Sequence, residues 1–244
     1  MNVYLDIETI PDQSKDAIEK IAKTLTIKCP HSTKDQIGKD LRMPAEDIKF
    51  TSKADLEARW LKEFSKKHAA VQAEESWRKT SFDGGAGEII SIAWAVGDSS
   101  VSTVSRSLDD SESELIRRFH SQVIEDLNGR PPFFIGHNIK FDLKFLFRRC
   151  IILGVAAPHP YAFNGRHEKD YFDNSQAWCE FKEYISQDNL AKILGLKGKS
   201  DEIDGSKVWD FVKAGKVNDV ALYNADDVIQ LRQIYKKLTF SEWG

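Results

Sequence analysis

Residues 3–8, VYLDIE, set Val3, Leu5 and Ile7 on one side of an extended chain and Tyr4, Asp6 and Glu8 on the other. The apolar alternates ask for a packed β-strand, yet two carboxylates fall on one face of it, two positions apart. Buried acids are costly unless they are paired, protonated or bound to a cation. Whatever fold this chain adopts has to resolve that conflict.

The closing stretch, VNDVALYNADDVIQLRQIYKKL, repeats the anomaly on a helix. Val220, Val228, Leu231, Tyr235 and Leu238 trace its apolar stripe, and Asp227 falls inside the stripe with Tyr223 one turn before it. In GHNIKFD a further acid, Asp142, opens a helix straight after a strand-end loop. Alone it reads as an acid favoured by the helix dipole. Together, four inward acids ask for a common cation, and a set of oxygen ligands without His or Cys favours Mg²⁺ or Mn²⁺ over zinc. Two such ions roughly 3.5–4 Å apart can activate a water and stabilise the leaving oxygen of a phosphodiester.

The rest of the chain reads as α/β. SKDAIEKIAKTL and TSKADLEARWLKEF carry helical apolar spacing, with KCPHSTKD as a loop between them. IISIAWAV (89–96) is an apolar run of strand length, and GDSSVSTV is its return strand in a hairpin. The segment at about 12–85 therefore reads as a helical insertion between two strands of one sheet. SESELIRRFHSQVIEDL follows as an amphipathic helix, with Ser111 as N-cap three residues before Glu114. PPFFIGHN is a short strand, FDLKFLFRRCIIL a helix, HEKDYFD (167–173) a strand and DNLAKILGL a helix. A hairpin followed by strand–helix units predicts a mixed sheet with helices on both faces.

DIET, HNIKFD and YNADD, in that order and with the Tyr-x3-Asp spacing, resemble the three exonuclease motifs of the DEDD superfamily in its tyrosine-bearing (DEDDy) branch. The stretch from DNLAKILGL to YNADDV resembles the 3′→5′ exonucleases related to the proofreading domain of family-B DNA polymerases, found as stand-alone proteins in bacteria and phages. The likeness covers roughly 1–11 and 86–238. It implies a single RNase H-like domain over 1–244, with a central five-stranded mixed sheet flanked by helices and an insertion after the first strand. It implies two divalent ions, Mg²⁺ or Mn²⁺, held by Asp6, Glu8, Asp142 and Asp227. Asp6 would bridge both, Glu8 and Asp227 would complete the site of the nucleophile-bearing ion, and Asp142 would hold the second. Tyr223 would orient the attacking water, since a phenol with a pKa near ~10 is a poor base at neutral pH. Asp226 points about 100° away from Asp227 and reads as solvated or as an outer partner.

The implied substrate is a DNA 3′ end, single strands preferred, in replication, repair or recombination. RNA is an open alternative because the acids alone do not read the 2′-hydroxyl, and an inactive nucleic-acid-binding module is another. Thr9 and Ile10 stand where the family's backbone meets the 3′ end; ordinary strand termination at Pro11 explains them equally. His137 and Asn138 are candidates for phosphate or sugar contact or for holding the loop. Phe141 is a candidate for base stacking or for the core, as is Phe145. Lys140, Lys144, Arg148 and Arg149 read as a basic rim that draws in a phosphate backbone, or as a solvated helix face. Ser206 and Trp209 fit the family pattern, Trp209 by packing, and Asp173 reads as structural. In the insertion, Lys62, Lys66 and Lys67 with Trp60 read as an amphipathic helix face or as a clamp on single strands.

Composition adds bounds. With 244 residues, 41% hydrophobic and 30% charged, the chain is long enough for one domain with a sizeable core. The net charge of −3 is uneven, the insertion being mildly basic and the remainder acidic, and metal-bound acids would not repel a polyanion. The three cysteines are irregularly spaced and suggest reduced thiols, with Cys29 and His31 too sparse for zinc. No apolar run approaches the ~20 residues of a membrane span, and the opening strand leaves no secretory signal. The expected setting is a bacterial or phage-infected cytosol, without a membrane partner.

Overall fold

A computed structural model describes residues 1–157, 171–180, 183–196 and 203–241. In chain order these form β1 (Asn2–Ile10), α1 (Ala17–Thr24), α2 (Lys34–Asp40), α3 (Ala45–Phe50) and α4 (Lys53–Arg78), followed by β2 (Glu88–Val96) and β3 (Ser102–Ser105). There follow α5 (Glu112–Leu127), β4 (Phe133–Gly136), α6 (Ile139–Leu153), β5 (Tyr171–Asp173), α7 (Asn174–Trp178), α8 (Gln187–Ile193), α9 (Val208–Lys213) and α10 (Val217–Leu238). The first four residues of the segment expected as a strand at 167–173 lie outside the described residues.

Two compact units result: Met1–Pro11 with Ser81–Gly244, and Asp12–Thr80. The short 3₁₀ turn Lys79–Phe82 straddles the division.

The larger unit is built on one five-stranded sheet in the order β3-β2-β1-β4-β5. β1 runs antiparallel to β2 and parallel to β4, and β5 is parallel to β4. The alternation read in β1 sorts its two faces. Val3, Leu5 and Ile7 join Trp94, Leu115, Phe119, Leu143 and Leu146 in the main core, under α5 and α6. Tyr4 packs with Ala93, Ala95, Val228 and Leu231 beneath α10, and Ile10 with Ile90, Val208 and Val220. Across from Tyr4, Asp6 and Glu8 on β2 stand Ala95, Ala93 and Ser91. These small residues give the last helix room to come down on the acid-bearing face. After Glu8 the register slips, Glu8 pairing with Ser91 and Thr9 with Ile89, so Ile90 is the extra residue of a β-bulge. Such bulges re-aim side chains and sharpen the twist.

The ends of α5 and α6 are fixed by local chemistry. Ser111 caps α5, its hydroxyl accepting from the Glu114 amide at 3.4 Å. Glu112 takes the Arg149 guanidinium in a buried fork, Nε to Oε1 at 3.0 Å and an Nη to Oε2 at 2.6 Å, and accepts the Ile89 amide at 2.8 Å. Arg149 therefore leaves the basic rim expected of it. One position along the helix, about 100° round the axis, its neighbour Arg148 stays exposed and pairs with Asp83 at 2.9 Å.

The unit Asp12–Thr80 has its own small core of Ile37, Ile48, Leu56 and Trp60. Trp60 is fully buried and donates its indole N–H to Asp40 at 2.8 Å. It therefore cannot be the stacking face of a clamp, and Lys62, Lys66 and Lys67 lie along an exposed stretch without it. Helix α2 begins at Lys34, inside the KCPHSTKD stretch expected as a loop. The unit's ends meet where the Trp77 indole donates to the Asp12 carbonyl at 2.7 Å and the Asp12 amide to Thr80 Oγ1 at 2.8 Å.

Candidate active site

β1 delivers Asp6 and Glu8 to the face covered by α10, and α10 returns Asp227 to meet them. One carboxylate oxygen from each of the three lies within 4.8 Å of the others. Glu8 and Asp227 are buried and Asp6 half-buried. Oxygens trans to each other on an octahedral Mg²⁺ shell of about 2.1 Å radius are separated by about 4.2 Å. Oxygens cis to each other on the same shell are about 3.0 Å apart, so a bound cation would draw the trio closer together, and it is the all-oxygen donor set that fits Mg²⁺ or a similar hard dication.

Asp142 comes from the first turn of α6 and is buried. Its Oδ1 accepts the Ile7 amide at 3.1 Å, which hooks it onto β1 between the two strand acids. Burial first, and then the Asp6 carboxylate, push its carboxyl well above the usual range, while the Ile7 N–H pulls the other way. Glu8 adds a smaller upward push. An acid so placed is uncomfortable without positive charge nearby.

Tyr223 lies one turn before Asp227 on α10 and is half-buried. Burial raises its phenol well above the ordinary value, and Glu8 and Asp6 raise it further. The hydroxyl therefore stays protonated at any physiological pH. Asp226, the neighbour of Asp227, is exposed.

Two primary amides that the motifs do not single out hold the acids. Asn224, fully buried, donates Nδ2 to Asp6 Oδ2 at 2.6 Å, and its Oδ1 accepts from Ser91 Oγ at 3.0 Å. Gln187, at the start of α8, donates Nε2 to Asp227 Oδ1 and to the Asp227 carbonyl, each at 3.0 Å, and to Gln230 Oε1 at 3.1 Å. Asn224 was legible only as a letter within YNADD, and Gln187 carries no sequence signal.

The other candidate residues are placed as follows. Thr9 donates its hydroxyl to the Ser81 carbonyl at 2.7 Å. The Ile10 side chain is fully buried, which leaves its backbone as the part able to meet a ligand. His137 Nε2 lies 2.8 Å from the Ile185 carbonyl. Asn138 is exposed and left-handed (φ 60°), a conformation Asn tolerates, and its backbone N–H donates to Asp173 Oδ1 at 3.0 Å. Asp173 also caps α7 by accepting from the Ser175 and Gln176 amides, so its role is to hold the loop. The Lys140 ammonium stands over the Tyr171 ring, 5.3 Å from its centroid. Phe141 packs against the main core, its ring 5.6 Å from that of Phe145. Trp209 packs beside Val208 and Ile10. The structure thus brings Asp6, Glu8 and Asp227 together, with Asp142 hooked to the Ile7 amide and feeling the charges of Asp6 and Glu8 and Tyr223 feeling those of Glu8 and Asp6, while the side chains of Ile10, Lys140 and Phe141 are engaged in packing.

This sheet and its helices define an RNase H-like α/β fold of the kind found in polymerase proofreading domains. The family B DNA polymerase of the hyperthermophilic archaeon Pyrobaculum calidifontis superposes with a TM-score of 0.50 and 21% identity, over 64% of this chain and 22% of that one. Residues 86–242 match the model of predicted 3′-5′ exonucleases related to the exonuclease domain of PolB, and the chain belongs to that family. The match begins after Asp6 and Glu8. No curated protein sequence gives a significant match. Among the described residues, no helix is long and apolar enough to cross a membrane.

Proposed function

We propose that the protein is a metal-dependent 3′→5′ exonuclease that releases nucleoside 5′-monophosphates from DNA 3′ ends, single strands preferred, in replication, repair or recombination. In this reading it is a DEDDy enzyme of the stand-alone bacterial or phage type, working in that cytosol. The segment at about 12–85 is then an insertion in a single exonuclease domain. The observation that carries the reading is the meeting of Asp6, Glu8 and Asp227 oxygens within 4.8 Å, on the fold of a family of predicted exonucleases.

Asp6, Glu8 and Asp227 would hold one Mg²⁺ or Mn²⁺, and Asp142 with Asp6 a second; bound there, the ions supply charge that makes water nucleophilic at neutral pH and offsets charge developing on the phosphoryl group. Tyr223 orients the water through its hydroxyl and does not take its proton, because burial, Glu8 and Asp6 keep the phenol protonated. The water oxygen bonds to phosphorus as the bond from phosphorus to the 3′ oxygen of the preceding nucleotide breaks. The terminal nucleotide leaves as its 5′-monophosphate, the water gives up a proton to solvent, and the departing 3′ oxygen takes one up, so that the shortened strand ends in a 3′-hydroxyl with no net change in protons. The Thr9–Ile10 backbone, His137 and Asn138 flank the acids in sequence and are assigned to the terminal nucleotide. Lys140 and Phe141 serve it through the shape of the α6 entry.

A time course on matched 5′-labelled DNA and RNA oligonucleotides with Mg²⁺, Mn²⁺ or chelator tests this. A one-nucleotide ladder on DNA, present only with metal, is expected. A ladder on RNA alone would transfer the substrate to the ribonucleotide class, and metal-independent binding without products would leave a binding module.

A further inference from the structure

Asp6 stands at the centre of the sheet, and its carboxylate hangs on two rotatable bonds. Something has to stop it turning if it is to meet a cation in one orientation. The amide of Asn224 lies 2.6 Å from its Oδ2, reaching across 218 positions of sequence, and is completely buried. An ionised carboxylate only accepts hydrogen bonds, so the NH₂ of Asn224 must face it and the amide oxygen must face away. That oxygen is met by the Ser91 hydroxyl at 3.0 Å, and Ser91, also fully buried, is the cross-strand neighbour of Glu8. A chain of two bonds thus runs from β2 through α10 to β1, each donor settling the orientation of the next group. Gln187 works differently, spreading one NH₂ over three acceptors around Asp227; Asn224 aims at a single oxygen.

We propose that Asn224 is a positioning residue for the cation ligand Asp6, with its amide held in register by Ser91. The proposal rests on the reading of Asp6, Glu8 and Asp227 as a cation site. Asn224 touches no reacting atom. It fixes the plane of the Asp6 carboxylate and so the direction in which Oδ1 points, and outer partners of this sort typically change metal affinity by about 10–100-fold.

Mn²⁺ titration of the full chain by calorimetry, beside melting curves, tests it. Asn224→Leu keeps a branched side chain of similar reach but has no donor, and is expected to weaken Mn²⁺ binding by about tenfold or more. Ser91→Ala should weaken it by about threefold, and Ser91→Thr, which keeps the hydroxyl, should restore it. The double variant Ser91→Ala/Asn224→Leu should bind no more weakly than Asn224→Leu alone, because Ser91 acts only through the amide. Affinity within twofold of wild type in a cooperatively melting Asn224→Leu protein would overturn the proposal, as would fully additive losses. If Asn224→Leu does not fold, Ser91→Ala decides, and unchanged Mn²⁺ binding there overturns it. Asp6→Asn separates the two levels. Wild-type protein that binds no Mn²⁺ ends the cation reading and this proposal with it. Binding that Asp6→Asn abolishes and Asn224→Leu leaves intact ends this proposal alone.

Discussion

The backbone amide of Ile7 donates to Asp142 Oδ1 at 3.1 Å, joining positions 135 apart in the chain. β4 pairs with β1 only along Asn2–Tyr4 and ends at Gly136, so Asp142 supplies the acceptor that a longer strand would have offered. The same carboxyl is thus a piece of the sheet and feels the charges of Asp6 and Glu8. A buried amide needs its partner, and this need ties the α6 entry to the opening strand whether or not a cation is bound.

Two substitutions at Asp142 should therefore part company. Asp142→Asn retains an oxygen for the Ile7 N–H and removes an acid crowded by Asp6, so metal-free protein should melt at or above the wild-type temperature. Asp142→Ala strips the acceptor and should lose about 1–3 kcal/mol. Both should lose hydrolysis. Urea unfolding in chelator, with a nuclease assay in Mg²⁺, measures the two effects separately.

Arg149 and Glu112 are both buried, in a forked pair that also receives the Ile89 amide. Arg149→Met leaves the Glu112 carboxylate without its counter-charge in the core and is expected to cost about 3–5 kcal/mol. The exposed neighbouring pair, Arg148 with Asp83, should give about 1 kcal/mol or less in Arg148→Met. Chemical denaturation of the two variants side by side makes the comparison.

His120 on α5 is nearly inaccessible, and burial pulls its imidazole down to about 4 from an ordinary 6.5, against a smaller upward pull from an Ala156 hydrogen bond. The unfolded chain takes up its proton near 6.5 and the folded one only near 4. The stability this group confers is therefore complete above 6.5 and drains away as the pH falls towards 4. The loss should approach about 3 kcal/mol at most. His120→Leu should flatten that part of the stability–pH curve, measured by urea unfolding between pH 7.5 and 4.5.

Tyr223→Phe keeps the ring and deletes the hydroxyl proposed to orient the water. Turnover should fall by about 10²-fold or more, with KM within a few-fold of wild type. Because the phenol lies well above its ordinary range, it does not titrate in the working window, and the variant should keep the wild-type pH–rate shape. Steady-state kinetics from pH 6 to 9.5 would show it; an alkaline limb that vanishes in the variant would make Tyr223 the base after all.

Much of this was readable because its signals are periodic. β1 declares itself by alternation and α10 by a long apolar stripe, so Asp6, Glu8 and Asp227 stood out as acids where packing wants none. α2 and α3 escaped notice because one or two turns of helix carry no stripe, although Thr33 three residues before Gln36 is a start signal, and its hydroxyl does accept the Gln36 amide at 3.4 Å. Arg149 was misread as rim because its buried partner Glu112 lies 37 positions away, and nothing local announces such a pairing. Trp60 was misread as a possible stacking face because only the folded insertion shows what covers it. Asn224 and Gln187 stayed hidden for a related reason: an amide orienting a carboxylate has no spacing rule of its own.

Diffraction from crystals soaked in Mn²⁺, with anomalous data collected at the manganese edge, bears most directly on the claim that the opening strand and the last helix enclose a dication. An anomalous peak about 2.0–2.3 Å from oxygens of Asp6, Glu8 and Asp227 together, absent from Asp227→Asn crystals, is the expected result. Millimolar Mn²⁺ that leaves this spot empty, or that binds there equally well in Asp227→Asn, would contradict it.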